Sequence, residues 1–435
     1  MRIGVICSGR VGLVTGACLS SLGHEVTCMD ADAEKIATLR DGRTPFHEPE
    51  LDDLVRRGND NATLVFVDSV EEAVKGADVV MICVGRPPVG ADDRSLTAVE
   101  EAARDVARAA DQGVVVVVKS TVPPGTSGRV AQAIGSERPD LACSVVSNPE
   151  FLREGHAVED TLRPLRIVVG ADDDRGREVL AQMYAPLVAA GHRLVQTDPR
   201  TSELAKLASN AFLATKISFA NGLARVAELA GADVVGVTDI MGMDPRIGPQ
   251  FLGAGLGYGG YCLPKDIVTL ERLAGRLGYD FGLLREVVQI NDEAGRVVAR
   301  IVEEAVSNLE GTRIALLGVA FKAGTDDVRS APALALARTL LAAGATLTAW
   351  DPLAAGAAAA ELPEVSFASD PYAAALGAQC AVVCTEWPEL AVLDLRRLAG
   401  AMAEAVLVDA RNTVDAEAAR AAGFRYVPIG RPRAD

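Results

Sequence analysis

The strongest constraint on how this chain can fold is a pattern that it uses twice. Arg2-Ile3-Gly4-Val5-Ile6-Cys7 is an apolar run that ends in a small-residue turn, and Arg313-Ile314-Ala315-Leu316-Leu317-Gly318 echoes it in the last third. Gly23-His24-Glu25-Val26-Thr27-Cys28-Met29-Asp30 has its counterpart in Gly344-Ala345-Thr346-Leu347-Thr348-Ala349-Trp350-Asp351. Each copy reads strand, turn, helix, strand, the opening of a parallel α/β unit. The chain must therefore build two sheets flanked by helices. The second copy carries about ten extra residues in its first loop, Phe321-Lys322-Ala323-Gly324-Thr325-Asp326-Asp327-Val328-Arg329 among them. That loop replaces the short turn of the first copy, so the two sheets are expected to bind different things.

The first copy has the features of a dinucleotide site. In Cys7-Ser8-Gly9-Arg10-Val11-Gly12, Gly9 permits close approach to a pyrophosphate and Gly12 permits close packing of helix on strand. Cysteine stands where the glycine pattern begins. Asp30, eighteen residues beyond Gly12, is at the reach of a ribose-binding carboxylate and would repel a 2′-phosphate. The cofactor expected is NAD.

Further strands are expected at 64–67, 79–84, 113–119, 143–147 and 166–170, most of them separated by helical runs. The loops that follow hold polar chemistry: Gly85-Arg86-Pro87-Pro88, Ser120-Thr121-Val122-Pro123-Pro124-Gly125-Thr126, and Asn148-Pro149-Glu150-Phe151-Leu152-Arg153-Glu154. Carboxyl ends of strands are where open α/β sheets bind ligands. Residues 201–229 and 281–306 have helical periodicity instead. Leu284, Val287, Asn291, Ala294, Val298, Ile301 and Ala305 form one stripe. The fold expected is α/β, with two Rossmann-like doubly wound domains (1–200 and 306–435) joined by a helical domain (201–305) whose apolar stripes suggest a dimer interface.

Composition excludes several functions. The 435 residues suit two or three domains, and 49% hydrophobic with 4% aromatic residues is the balance of an Ala/Val/Leu-rich enzyme. A net charge of −16 argues against nucleic acid and anionic membranes as partners. No apolar run reaches a membrane span, and Met1-Arg2-Ile3-Gly4-Val5-Ile6 reads as a strand rather than a signal peptide. The eight cysteines form no CxxC pair and the four histidines are scattered, so no metal site is expected and the thiols fit a reducing cytoplasm. Cys380 and Cys384 read as strand core.

One cysteine is set differently. Gly257-Tyr258-Gly259-Gly260-Tyr261-Cys262-Leu263-Pro264-Lys265-Asp266 places Cys262 in a glycine-rich turn before Pro264, a typical first helical residue, and beside Lys265. A helix N-terminus and a nearby cation both favour thiolate. A thiolate there can attack an aldehyde, and the adduct can be oxidised to a thioester. A buried structural cysteine is the other reading of this segment taken alone.

The motifs GGYCLPKD, NPEFLREG, KSTVPPGT, AFKAGTDDVR and DARN, in this order and with this domain plan, resemble the nucleotide-sugar 6-dehydrogenases of the UDP-glucose/GDP-mannose dehydrogenase family. The resemblance implies oxidation of a sugar C6 alcohol to the acid with two NAD. UDP-glucose is the expected substrate; dTDP-glucose, GDP-mannose and UDP-N-acetylmannosamine are alternatives. It also implies roles. Cys262 would be the nucleophile, Asp266 and Thr121 would position water or take the alcohol proton, and Lys206 and Asn210 would stabilise the oxyanion. Glu150 would act in thioester hydrolysis. NAD would be held by Gly9, Arg10, Val11, Gly12, Asp30, Lys35, Arg86, Ser120, Thr121, Glu154, Lys265 and Arg329. The sugar nucleotide would meet Phe151, Leu152, Lys206, Asn210, Phe251, Tyr258, Gly259, Phe321, Lys322 and Arg411. Arg246 would reach the neighbouring site of a homodimer. The chain departs from the family pattern at Cys7 (glycine), Arg10 (usually tyrosine), Arg86 (usually threonine) and Leu165 (often an acid). Added positive charge at Arg10 and Arg86 would offset the poorer glycine turn; otherwise both are solvated rim residues. A β-hydroxyacid dehydrogenase would need neither Cys262 nor a second α/β domain. A non-catalytic NAD or sugar-nucleotide binder would not need Cys262, Asp266, Lys206, Asn210 and Thr121 together.

Overall fold

The computed structural model describes residues 1–85 and 94–432. The chain divides into two compact units, Met1–Ser209 and Asn210–Asp435.

The first unit is built on eight strands: β1 (Arg2–Ile6), β2 (Glu25–Met29), β3 (Leu64–Val67), β4 (Val79–Ile82), β5 (Val115–Val118), β6 (Ser144–Ser147), β7 (Ile167–Ala171) and β8 (Leu194–Thr197). Their order is β3-β2-β1-β4-β5-β6-β7-β8. The central strands β4 and β5 are Val-rich and buried along their whole length, as a sheet covered on both faces demands. One core includes Leu13, Val14, Ala17 and Leu180, and the other includes Val99, Ala103, Val106 and Val130. The strand order reverses between the parallel neighbours β1 and β4, which opens a crevice at their carboxyl ends. All pairs are parallel except β6 with β7.

The second unit repeats the plan. Its strands are β9 (Arg313–Leu317), β10 (Thr346–Trp350), β11 (Ser366–Phe367), β12 (Cys380–Val383), β13 (Val406–Asp409) and β14 (Arg425–Pro428). The order β11-β10-β9-β12-β13-β14 is the same winding as the first six strands of the other sheet, and all its pairs are parallel.

A helical region lies between the sheets in sequence: Pro199–Ala230, Val234–Gly242, Cys262–Arg276 and Gly282–Val306. The apolar stripe of the last helix does not remain for another subunit, contrary to the expectation from its periodicity. Leu284, Val287, Ala294, Val298, Ile301 and Ala305 are all buried. Val298, Ile301 and Ala305 join one core with Leu316, Leu336 and Val408 around the second sheet. The long helix is different: Phe212, Phe219 and Val226, each seven residues apart, are 66%, 55% and 59% exposed. No helix among the described residues is long and apolar enough to cross a membrane.

Candidate active site

In the first unit the β1–helix turn is shaped for a dinucleotide, with one local cost. The helix Arg10–Ser21 begins at Gly9 with no side-chain cap and no acid in its first turn, which leaves its first N–H groups available for an anion. A Cβ at Gly12 would collide with the carbonyl of Cys7, so the close packing requires glycine there. Cys7 sits at φ 79°, in left-handed backbone that disfavours every residue with a Cβ. The equivalent residue of the second copy, Gly318, has φ 89° and pays no such cost.

Asp30 ends β2. Its Oδ2 accepts from the Ser8 N–H at 2.9 Å and from Lys35 Nζ at 2.9 Å, and its Oδ1 accepts from the Asp32 N–H at 3.1 Å. A carboxylate offers about four acceptor positions, so one remains for a ribose hydroxyl. In the second copy, Asp351 is saturated. It accepts from Val319, Ala320, Leu353 and Ala354 N–H groups and from the Trp387 indole at 2.7–3.0 Å. The second copy therefore has the same fold but leaves its aspartate no free acceptor position.

Arg10 is not a solvated rim residue. It lies 3.7 Å from Glu154 and its guanidinium stacks 4.7 Å from the centre of the Phe46 ring. Val11 packs on the core beside it. Ser120 Oγ donates to the Val84 carbonyl at 2.8 Å and so fixes the loop after β5, which also carries Thr121. Arg86 lies outside the described residues.

The loop after β6 brings Glu150 to Lys206. The ion pair is 3.2 Å long and both side chains are almost wholly buried, which removes the reading of Lys206 as an ordinary solvated lysine. Glu150 Oε2 also accepts from the Leu152 N–H at 2.6 Å. Burial pushes the Glu150 carboxyl up, but Lys206, the Leu152 N–H and Lys119 together outweigh it and leave it below its ordinary value. Lys119 is buried and donates to Asn148 Oδ1 at 3.1 Å. Phe151 follows Glu150, with Lys206 Nζ 5.3 Å from its ring centre, and Leu152 packs on the core.

In the second unit the cysteine turn is locked from several sides. A Cβ at Gly259 would strike the Ser330 carbonyl, and one at Gly260 would meet the Phe321 ring at 2.8 Å. Tyr258 donates its N–H to Asn291 Oδ1 at 2.7 Å; Asn291, which the periodicity placed in an apolar stripe, is thus a polar clamp for the turn. The helix starts at Cys262 itself rather than at Pro264. Proline is tolerated at its third position because the first N–H groups of a helix lack partners anyway. Cys262 is half-buried. Lys265 is buried and its ammonium is paired with Asp266, so much of the cationic help expected from Lys265 is neutralised, and the helix terminus is the stronger influence left. Asp266 is fully buried, and its Oδ2 accepts from Asn210 Nδ2 at 2.6 Å.

Six other thiols are held back from ionising by burial. Burial pushes Cys18, Cys83, Cys380 and Cys384 up to about 12, and it raises Cys28 and Cys143 as well. Cys380 and Cys384 are core residues, as their apolar setting suggested.

Cations surround the turn. Arg329 pairs with Asp327 at 2.5 Å and stacks 4.7 Å from the Tyr261 ring centre. Arg411 donates to the Cys384 carbonyl at 2.9 Å and pairs with Glu386 at 3.3 Å. Lys322 lies 6.0 Å from the Phe321 ring centre. Phe251 holds left-handed backbone at φ 64°. Arg246 is apart: its side chain is 87% exposed and, among the described residues, bound only to nearby Asp244, at 2.6 Å.

Sequence reasoning missed two anchors. Buried Glu48 accepts the Gly155 and Ala157 N–H groups at 2.8 and 2.7 Å, fixing the loop of Glu150 and Glu154. Buried Glu203 accepts from the Gly125 and Ser127 N–H groups at 2.5 and 2.7 Å, fixing the loop of Thr121. Glu48 had no local signal. Glu203, one helical turn before Lys206, had a weak one.

Comparison with known proteins identifies the family of the chain. Three domains of the UDP-glucose/GDP-mannose dehydrogenase family match in order: the NAD binding domain at residues 1–188, the central domain at 200–293 and the UDP binding domain at 315–416. The chain is 44% identical to a UDP-glucose 6-dehydrogenase of Rhizobium meliloti (strain 1021) over 436 residues, covering 99% of this chain and 100% of that one. A UDP-glucose dehydrogenase structure from the hyperthermophilic archaeon Pyrobaculum islandicum superposes with a TM-score of 0.91 at 39% identity, covering 99% of this chain and 97% of that one. A UDP-D-ManNAc dehydrogenase structure from Pyrococcus horikoshii gives 0.88 at 28% identity, with each chain covered in full at 100%. An uncapped glycine turn followed by Asp30 at the end of the next strand, and a half-buried cysteine heading its own helix, are thus features of a chain that belongs to the UDP-glucose/GDP-mannose dehydrogenase family.

Proposed function

We propose that this enzyme oxidises the C6 alcohol of UDP-glucose to the carboxylate of UDP-glucuronate through adducts on Cys262. The observation that carries the reading is the half-buried Cys262 at the start of its helix, beside the buried Asn210–Asp266–Lys265 network. Bound NAD, held by the Gly9–Gly12 turn, Asp30 and Lys35, would supply a hydride acceptor at each of two stages. At the first stage, loss of a proton and a hydride turns the alcohol into an aldehyde. Thr121 and Asp266 position the group that receives the proton. The Cys262 sulfur then adds to the aldehyde carbon and its oxygen gains a proton, giving a thiohemiacetal. Loss of a second proton and hydride gives the thioester. Water adds to that carbon, the C–S bond breaks and the thiol reforms as the acid leaves. Lys206 and Asn210 stabilise negative charge on the reacting oxygen, and Glu150, kept ionised in its buried pair, takes the proton of the attacking water.

Phe151 and Leu152, with Phe251, Tyr258, Gly259, Phe321, Lys322 and Arg411, bind the sugar nucleotide. The 39–44% identity to proteins named as UDP-glucose dehydrogenases favours that substrate over UDP-N-acetylmannosamine, at 28%. The active unit is a homodimer, with the exposed Phe212, Phe219 and Val226 face as its contact and Arg246 reaching the partner's substrate. The enzyme works in the cytoplasm.

Two variants test the chemistry. Cys262→Ser is expected to bind UDP-glucose and form almost no acid. Glu150→Gln should slow turnover by about 10²–10⁴, the range for lost general-base help, and should accumulate a covalent adduct on Cys262 visible by mass spectrometry. Normal acid formation by Cys262→Ser would reject the thioester route.

A further inference from the structure

Arg166 precedes β7, and the reversal of that one strand decides where it lies. Since β7 runs antiparallel to β6, with Ser147 opposite Gly170, its amino end sits at the carboxyl edge of the parallel strands. Asn148 Nδ2 donates to the Val168 carbonyl at 2.7 Å, so the loop after β6 continues alongside the start of β7. Arg166 is accordingly stacked on Phe151, its guanidinium 3.7 Å from the ring centre.

Three cations in or near this loop have carboxylate partners within the first unit, and buried Lys119 is held by Asn148 and Tyr184. Lys206 pairs with Glu150, Arg153 with Asp160, and Arg10 with Glu154. Arg166 is partly buried, yet among the described residues no hydrogen bond or ion pair engages its guanidinium. Burial alone moves its pKa, downward, with no carboxylate to offset it. Its neighbour Leu165 carries no charge. A desolvated cation is normally paired, because water lost from the charge must be replaced. Five N–H donors on a rigid plane, held against a ring and otherwise unused, suit an oxyanion.

We infer that Arg166 is a further binding residue of the sugar-nucleotide site, one that takes an oxyanion of the ligand, either a phosphate of the substrate or the new carboxylate of the product. The inference rests on the proposed function and deepens it.

Arg166→Met keeps much of the stack on Phe151 and removes the charge; Arg166→Lys keeps the charge and loses the planar fork. Steady-state kinetics would be measured with UDP-glucose and NAD, together with inhibition by UDP and by UDP-glucuronate. Phosphate binding predicts that in Arg166→Met the KM for UDP-glucose and the inhibition constants of UDP and UDP-glucuronate all rise about tenfold. Carboxylate binding predicts a rise for UDP-glucuronate alone. Arg166→Lys should recover part of either effect, and the KM for NAD should stay within about twofold in both variants. If Arg166→Met matches the wild type for all three ligands, or if only the KM for NAD moves, Arg166 is a packing or dinucleotide residue and the inference is wrong. Failure of the functional reading would look different, since the wild type itself would not turn over UDP-glucose.

Discussion

Cys7 shows at the residue scale what a single substitution costs inside an otherwise regular turn. Its backbone has the left-handed conformation that Gly318 adopts in the second copy. A residue with a Cβ held there stores on the order of 1–3 kcal/mol, while glycine loses roughly 0.5–1 kcal/mol more chain entropy on folding. Cys7→Gly should therefore raise stability by about 1 kcal/mol in urea unfolding. If Arg10 offsets the poorer turn, Arg10→Ala should raise the KM for NAD more in the wild-type background than in Cys7→Gly. Equal effects in the two backgrounds would separate Arg10 from the turn and leave it as the partner of Glu154 and Phe46. The identities of Cys7, Gly12 and Asp30 were legible in sequence, because turn geometry and ribose reach are local. The saturation of Asp351 was not, since Trp387 reaches it from another element.

At the scale of elements, Glu203 shows how one helix finishes another. The helix Thr126–Glu137 begins at Gly125, which has no side chain to cap it. Glu203, on the helix Pro199–Ala230, supplies the acceptor instead and also takes the Ser127 hydroxyl at 2.7 Å. Removing it in Glu203→Ala strands these donors and should cost about 1–3 kcal/mol. Burial raises the Glu203 carboxyl above its ordinary value, its hydrogen-bond donors offsetting only part of the shift. The folded state then binds this proton more tightly than the unfolded chain does. The contribution is fully present below the unfolded value of 4.5 and is lost as pH rises through the folded one. Wild-type stability should thus fall relative to Glu203→Gln from about pH 4 upward, measured by urea unfolding at a series of pH values. Parallel curves would place the titration elsewhere. Helices at 201–229 and 281–306 were readable from their period, and the strands from their valine runs. The direction of β7 was not, because an isolated apolar run has the same composition in either orientation.

For the whole molecule, the apolar surface of the long helix is the feature that a single chain leaves unexplained. Phe212, Phe219 and Val226 recur at seven-residue intervals and stay more than half exposed, a pattern suited to helix packing. Phe219→Glu should yield monomers in sedimentation experiments. Mixing Arg246→Ala with Cys262→Ser subunits should restore activity, because some heterodimers would hold one intact composite site. No recovery despite demonstrated subunit exchange would return Arg246, now bound to Asp244, to its own chain. The stripe on Gly282–Val306 looked equally suitable in sequence and is core instead. Periodicity shows that a helix has an apolar face, but what covers that face depends on which surface lies nearest, and that surface is assembled from distant residues such as Leu316, Leu336 and Val408. The sequence by itself determined the repeated α/β plan, the dinucleotide turn and the cysteine that heads a helix, since each rests on neighbours a few residues away. Only the tertiary structure decided that Lys206 is buried against Glu150, that Lys265 is paired with Asp266, and that Arg166 stands at the carboxyl edge of the parallel strands, because the charge and exposure of a side chain depend on partners brought together by folding.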